Sequence, residues 1–332
     1  MTHGQPRVGS LRWGAPLLAA LPACHGCLAG VSLGETQRGA LPSPWPVGVC
    51  AEYGDAVAHG SLPDAVVEAS GLSSSAWDAG RLWVHNDSGS GPVLYAIDRA
   101  GRLLSEVRLE GIDSNDWEDV ARGPCAPGDA ARRCLYVGDI GDNPRERPWV
   151  AVHRLAEPQA LAPHLSARVE TARFTYPRGA RNAEAMVIDA SGAVLIFTKQ
   201  KGRSELYTAA FVPGATTTLT LLGELEIRSF ATGGRTLVTA ADLDTVSGRL
   251  LLRTYDDVRE YRLAPGQPVA AMLTMPPRAL PVGVEMQGEA ITWLGGGYVT
   301  VSEGSRQALH FVPCRVVEPA APREGSAQSK PR

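Results

Sequence analysis

Three glutamates recur at one place in a repeated pattern. Glu118 stands in Asp116-Trp117-Glu118-Asp119-Val120-Ala121, Glu184 in Asn182-Ala183-Glu184-Ala185-Met186-Val187, and Glu289 in Gln287-Gly288-Glu289-Ala290-Ile291-Thr292. Thr239, in Val238-Thr239-Ala240-Ala241-Asp242, and Ser70, in Glu68-Ala69-Ser70-Gly71-Leu72, fill the same slot twice more. Each slot opens an apolar run of strand length, followed by a short turn and a second apolar run. The polar ends of the second runs supply Asp87, Asp139, Lys199, Arg253 and Glu303. Carboxylates brought to one axis repel each other, and each is costly to bury unpaired. They need a cation, water or raised pKa values. Glu118, Glu184, Glu289, Asp87, Asp139 and Glu303 are therefore candidate metal ligands. Such hard oxygen donors suit Ca²⁺, which takes about 6 to 8 oxygens at about 2.3–2.6 Å. A bound cation would polarise a substrate oxygen. Asp87 or Asp139 is then the candidate base, and Lys199 or Arg253 the charge stabiliser. The same residues also read as solvated channel groups with structural hydrogen bonds, and the two bases as direct partners of the acids.

The elements that must position these residues are strands. The slots lie roughly 50 to 65 residues apart, in the range for propeller blades. The first strand of each blade lines the central channel, so equivalent residues point at one axis. Alternating apolar runs separated by Gly, Asp and Asn turns give four strands per blade. The first group is Ala69–Ser74, Arg81–Asn86, Val93–Asp98 and Leu104–Leu109; the second is Trp117–Ala121, Cys134–Asp139, Trp149–Leu155 and Val169–Tyr176. The third is Ala183–Ile188, Ala193–Thr198, Glu205–Phe211 and Thr218–Ile227; the fourth is Leu237–Leu243, Arg249–Tyr255, Val258–Leu263 and Ala270–Met275. The last holds Glu289–Leu294, Gly297–Ser302 and Ala308–Pro313, one strand short. Val47–Tyr53, from the other end of the chain, completes it and removes a sheet edge. The expected fold is one all-β propeller of five blades, with six as the alternative if the joints Ala156–Ala167 or Arg278–Met286 hide strands. Trp83, Trp117, Trp149 and Trp293 are expected between blades.

Cysteine usage bears on location. Residues 1–34 carry Arg7 and Arg12 and a short apolar run, Trp13 to Leu21, which reads as a signal peptide over 1–23. Leu21-Pro22-Ala23-Cys24 resembles a lipobox, which makes Cys24 a lipidation candidate and anchoring an alternative to secretion. No later segment is long and apolar enough to span a bilayer. Residues 24–46 read as a linker, 47–314 as the propeller and 315–332 as a disordered tail. An exported chain meets an oxidising space. Cys125 and Cys134 bracket a hairpin-like loop, and Cys50 and Cys314 sit on the two strands that close the ring; both are expected as disulfides. The net charge of −3 and the lack of a basic stripe with interleaved aromatics exclude nucleic acid as a partner. There is no GxSxG elbow, HExxH helix, Walker loop or EF-hand loop.

The segments "SGLSSS", "LWVHNDSGSGPVLYAID", "DWEDVA", "LYVGDIGDN", "NAEAMVID" and "QGEAI" with "SEG" resemble bacterial exported propeller proteins labelled phytase-like, esterase-like or WD40-like. The first blade is also similar to the SdiA-regulated propellers. The resemblance covers about residues 62 to 312. It implies a propeller with acidic central residues and Ca²⁺ as cofactor, and leaves the activity open. Two functions follow as expectations. One is a monomeric envelope module that binds a small molecule or protein on one face. The other is a Ca²⁺-dependent phosphoester or carboxyl-ester hydrolase.

Overall fold

The computed structural model describes residues 50–129 and 132–316. β1 (Cys50–Tyr53) and β2 (Val57–Ser61) lead into β3 (Ala69–Ser74), β4 (Arg81–Asn86), β5 (Val93–Asp98) and β6 (Leu103–Glu110). Then come β7 (Trp117–Pro124), β8 (Arg133–Asp139), β9 (Val150–Ala156), β10 (His164–Arg168) and β11 (Glu170–Thr175). β12 (Ala183–Ile188), β13 (Ala193–Thr198), β14 (Arg203–Ala210), β15 (Thr216–Thr218) and β16 (Thr220–Glu226) follow. β17 (Val238–Asp244), β18 (Arg249–Thr254), β19 (Val258–Arg262) and β20 (Arg278–Leu280) precede β21 (Gly288–Leu294), β22 (Gly297–Ser302) and β23 (Ala308–Val316).

These strands form five antiparallel sheets in a ring: β3-β4-β5-β6, β7-β8-β9-β11, β12-β13-β14-β16, β17-β18-β19-β20 and β21-β22-β23-β1. The inner strands close the circle, since β3 packs on β7, β7 on β12, β12 on β17, β17 on β21, and β21 on β3. The fold is a five-bladed β-propeller. β10 pairs parallel with β6, and β15 parallel with β11. Each covers an outer edge that would otherwise offer unpaired backbone groups. The joint 156–167 thus hides a strand that extends the first blade, not a sixth blade. The turns are set by local chemistry. Asp98 Oδ1 accepts the Ala100 and Arg102 N–H groups at 2.9 Å, and Gly101 supplies the left-handed residue at φ 80°. Asp189 and Gly192 repeat the device between β12 and β13.

Apolar side chains alternate with polar ones along the strands and fill the five gaps between neighbouring blades. Trp83 and Trp117 lie in the layer between the first two blades, and Trp293 in the layer between the last two. Trp149 does not: it is partly exposed, with the Arg173 guanidinium 4.6 Å from its ring centroid. The segment expected as a fourth strand, Ala270–Met275, is instead the 3₁₀ turn Val269–Thr274. Residues i and i+3 eclipse in that geometry, so Val269 and Met272 together enter the layer between the third and fourth blades. The fourth strand of that blade is β20, inside the joint Arg278–Met286.

Both disulfides form, Cys50–Cys314 with Cα atoms 5.5 Å apart and Cys125–Cys134 with 5.0 Å. β1 closes the last blade as expected, over its described part; residues 47–49 lie outside the described residues. β23 runs to Val316, past the expected domain end at 314. The signal segment, Cys24, the linker and the tail beyond 316 also lie outside the described residues.

Candidate functional site

The slot residues Ser70, Glu118, Glu184, Thr239 and Glu289 are each the second residue of an inner strand. In all five strands the pairing register slips there: between Ala69 and Leu72, Trp117 and Asp119, Ala183 and Ala185, Val238 and Ala240, and Gly288 and Ala290. A bulge re-aims one side chain and leaves the rest of the ladder intact. Ser70, Glu118, Glu184 and Glu289 line one cavity of about 210 Å³, with Glu68, Asp87, Asn143, Lys199, Tyr255, Gln287 and Glu303. Thr239 is buried and donates to the Gly288 carbonyl at 2.8 Å.

One wall is a carboxylate trio. Asp87, Asp116 and Glu118 each offer an oxygen within 4.8 Å of the others. Backbone bonds hold the trio in place: the Trp117 N–H donates to the Asp87 carbonyl at 3.0 Å, and the Gly141 N–H to the Asp116 carbonyl at 3.2 Å. Glycine at 141 lets the backbone come this close, because a Cβ there would overlap the Asp116 and Glu118 carboxyls as they stand. Ser70 Oγ lies 3.1 Å from Glu118 Oε2, while Asp87 Oδ1 is buried with no partner. Burial, reinforced by Asp116, pushes Asp87 up to about 8. Burial also raises Asp116 and, with Glu184, Asp87 and Asp116 beside it, raises Glu118 well above the carboxylate range.

Among the described residues, the basic side chain that lines the cavity is Lys199. Lys199 pairs with Glu184, and its ammonium sits 4.8 Å from the Tyr255 ring centroid. Burial raises Glu184 to about 7 even against Lys199. Glu289 is only 7% exposed and forms no hydrogen bond or ion pair among the described residues. Burial, with Glu184 next, pushes it up to about 8.

Two candidates stand elsewhere. Asp139 does not line the cavity. It forms an ion pair with Arg147 at 2.7 Å and accepts from Asn115 at 2.9 Å and from the Asp116 N–H at 3.3 Å, so it braces the trio from behind. Arg253 is fully buried, paired with Glu285, and donates to the Ala290 carbonyl at 3.2 Å. Strand register gives the reason. Asn86, Asp139, Thr198, Thr254 and Ser302 sit opposite the residue that precedes each slot. The cavity row is one residue further on: Asp87, Lys199, Tyr255 and Glu303 line the cavity, while Ile140, at the same place in the second blade, is buried in the core. Asp139 is one residue off that row, and a one-residue offset reverses the face a strand residue presents. Arg253 is two residues off, one step further down its strand, where it packs on Gly288 and pairs with Glu285. Glu303 lines the cavity, bonded to Gln287.

Glu68, Asn143, Tyr255 and Gln287 line the cavity and Asp116 joins two of its carboxylates in the trio; the slot pattern singles out none of them. Three of them carried a signal: Glu68, Asp116 and Gln287 each stand two residues before a slot, and residues i and i+2 share a strand face.

The raised acids predict an unusual pH response of the metal-free protein. A carboxyl with a folded pKa of about 7 or 8 holds its proton where the unfolded chain, near about 4.3, has lost it. The native state then binds more protons, so stability falls as pH rises through that window. Glu184 and Glu289 should make the melting temperature lower at pH 8 than at pH 5.5. Glu289→Gln should flatten the difference; a wild-type melting temperature that climbs toward pH 8 would refute the assignment.

No family model matches the chain, and no curated protein matches it. Among solved structures, streptogramin B lyase aligns at 10% identity with a TM-score of 0.39, over 78% of this chain and 97% of that one. Selenomethionine-substituted virginiamycin B lyase from Staphylococcus aureus aligns at 10% identity with a TM-score of 0.39, over 80% of this chain and 100% of that one.

Proposed function

We propose that the protein is an exported binding propeller whose axial cavity holds a divalent cation, Ca²⁺ first, on Asp87, Asp116 and Glu118. The observation that carries this reading is the trio itself: three converging carboxylates with no basic side chain paired to them among the described residues. The nearest bases are committed, Lys199 to Glu184 and Arg147 to Asp139. A hard cation offsets the burial and the repulsion between carboxylates that otherwise raise all three acids. Three side chains cannot complete a shell of about 6 to 8 oxygens, so water or ligand oxygens in the cavity would fill the rest. The two disulfides support an oxidising compartment.

A hydrolytic reading uses the same cation. Glu289, with a pKa near 8, is then the group able to take a proton from water, in place of Asp139, and Lys199 would steady developing charge.

Ca²⁺ at about a hundredfold its Kd should add about 2.7 kcal/mol of stability, read as a rise in melting temperature that EDTA reverses. Asp116→Asn should abolish that rise and remain folded. No rise in the wild-type protein, or an equal rise in Asp116→Asn, sinks the cation site. Turnover of p-nitrophenyl phosphate or acetate that Glu289→Gln eliminates would favour the hydrolase.

A further inference from the structure

Beside the trio, the cavity holds a second and different vacancy of charge. Glu289 is more than nine-tenths buried, lines the cavity, and has no partner among the described residues. Its neighbour Glu303 is tied only to the neutral amide of Gln287. Lys199 is offset by Glu184, and Arg235 by Asp256 at 2.6 Å. A divalent ion on the trio would leave Glu289 and Glu303 still without a basic partner among the described residues. The Glu289 end therefore presents two carboxyl groups and no uncommitted base, with the cation bound or absent, which disfavours phosphate and carboxylate ligands there.

The loop that enters this end of the cavity is apolar on its outer side. Val284 is fully exposed and Met286 is 83% exposed, flanking Glu285, which is turned inward to Arg253. Gln287, the next residue, lines the cavity. Arg235 fixes the loop beside the mouth: it donates to the Met286 carbonyl at 2.8 Å and stacks 4.6 Å from the Tyr255 ring centroid. Exposed methionine and valine on the segment that leads into the cavity, and a buried unpaired acid inside it, suit a ligand with a cationic head and an aliphatic body.

We propose that the Glu289 end of the axial cavity takes a primary ammonium group on an alkyl chain, with Glu289 as its ion-pair partner and Val284 and Met286 against the chain. The proposal rests on the channel being a binding site, not on the cation being there. The ammonium supplies the charge that Glu289 lacks. Its three N–H donors reach Glu289 and Glu303, both acceptor groups. The alkyl segment removes exposed apolar area from water.

Calorimetry with n-hexylammonium, and with 1-hexanol as the uncharged counterpart, tests this on the full chain in Ca²⁺ and again in EDTA. Hexylammonium should bind saturably in both, and hexanol should not. Glu289→Gln should weaken hexylammonium at least about thirtyfold, as loss of one partner of a buried charge pair does, with its melting transition still cooperative. Met286→Ser should weaken hexylammonium more than propylammonium. Equal binding of hexanol, unchanged affinity in Glu289→Gln, no binding at millimolar concentration, or one-for-one displacement by Ca²⁺ each overturns the proposal. Ca²⁺ binding without hexylammonium binding removes this inference alone; the converse removes the cation site alone.

Discussion

Arg253→Met is expected to destabilise the protein by about 3–5 kcal/mol, the cost of breaking a buried ion pair from one side. Arg253 has no exposed surface, and the Glu285 side chain is 2% exposed. The substitution removes the guanidinium and leaves the carboxylate. Glu285 keeps two partners, Thr300 Oγ1 at 2.6 Å and His310 Nδ1 at 2.9 Å. Those contacts place the loss toward the lower end of the range. Burial alone would raise Glu285; Arg253 first, then His310 and Thr300, hold it below the usual glutamate range. Without Arg253 it should take up a proton, so the variant should lose less stability at pH 5 than at pH 8. The double variant Arg253→Met with Glu285→Gln should recover most of the loss, because no charge is then stranded. Chemical denaturation of the three proteins decides it. A single variant within about 1 kcal/mol of wild type would mean that the pair contributes no more than a surface bridge. There is a functional consequence as well. Arg253 packs against Gly288 and bonds to the Ala290 carbonyl, the two residues that flank Glu289. Arg253 therefore holds the bulge that aims Glu289, and the variant should bind cavity ligands less tightly even where it is folded.

The extent to which this site is legible in the sequence follows from which rules are local. Ring order, blade count and the five slots come from the period of apolar runs, which one strand carries by itself. The trio is different. Glu118 is the slot residue, but Asp87 reaches it from the neighbouring blade and Asp116 from the approach to β7. Bringing those three together requires the inter-blade geometry, which no single repeat encodes. The second-strand row fails for a related reason. Asp139 and Asp87 look equivalent because both close a polar dipeptide or tripeptide after an apolar run. Pairing register separates them by one residue, and only cross-strand bonds fix register. The Val269–Thr274 turn shows the limit of composition: a short apolar run of strand length fits a 3₁₀ turn as well, and Pro268 at its start is the one local hint.

Removing the Cys50–Cys314 bridge should cost the most of any covalent change, about 5 kcal/mol in the chain-entropy account, since it joins residues 264 apart. Removing Cys125–Cys134, which joins residues 9 apart, should cost about half as much. The ratio is the informative quantity, because it follows loop length and not local packing. Cys50→Ser/Cys314→Ser and Cys125→Ser/Cys134→Ser, compared by denaturation, measure it; equal losses would refute the entropic explanation. The long-range bridge has a second effect that the short one lacks. β1 is four residues long and is otherwise tied by its ladder on β23, by Tyr53 Oη to Glu260 at 3.0 Å, and by Arg262 to the Cys50 carbonyl at 2.8 Å. Without the bridge β1 should fray before the ring unfolds, and hydrogen exchange should accelerate in β1 and β23 ahead of β12 and β13. The axis makes this closure matter. Carboxylates crowded around one channel repel one another as they ionise, and a closed ring resists that radially. Ca²⁺ on the trio should therefore recover a larger share of stability in Cys50→Ser/Cys314→Ser than in the wild-type protein. An identical Ca²⁺ effect in both would show that hub repulsion and rim closure act independently.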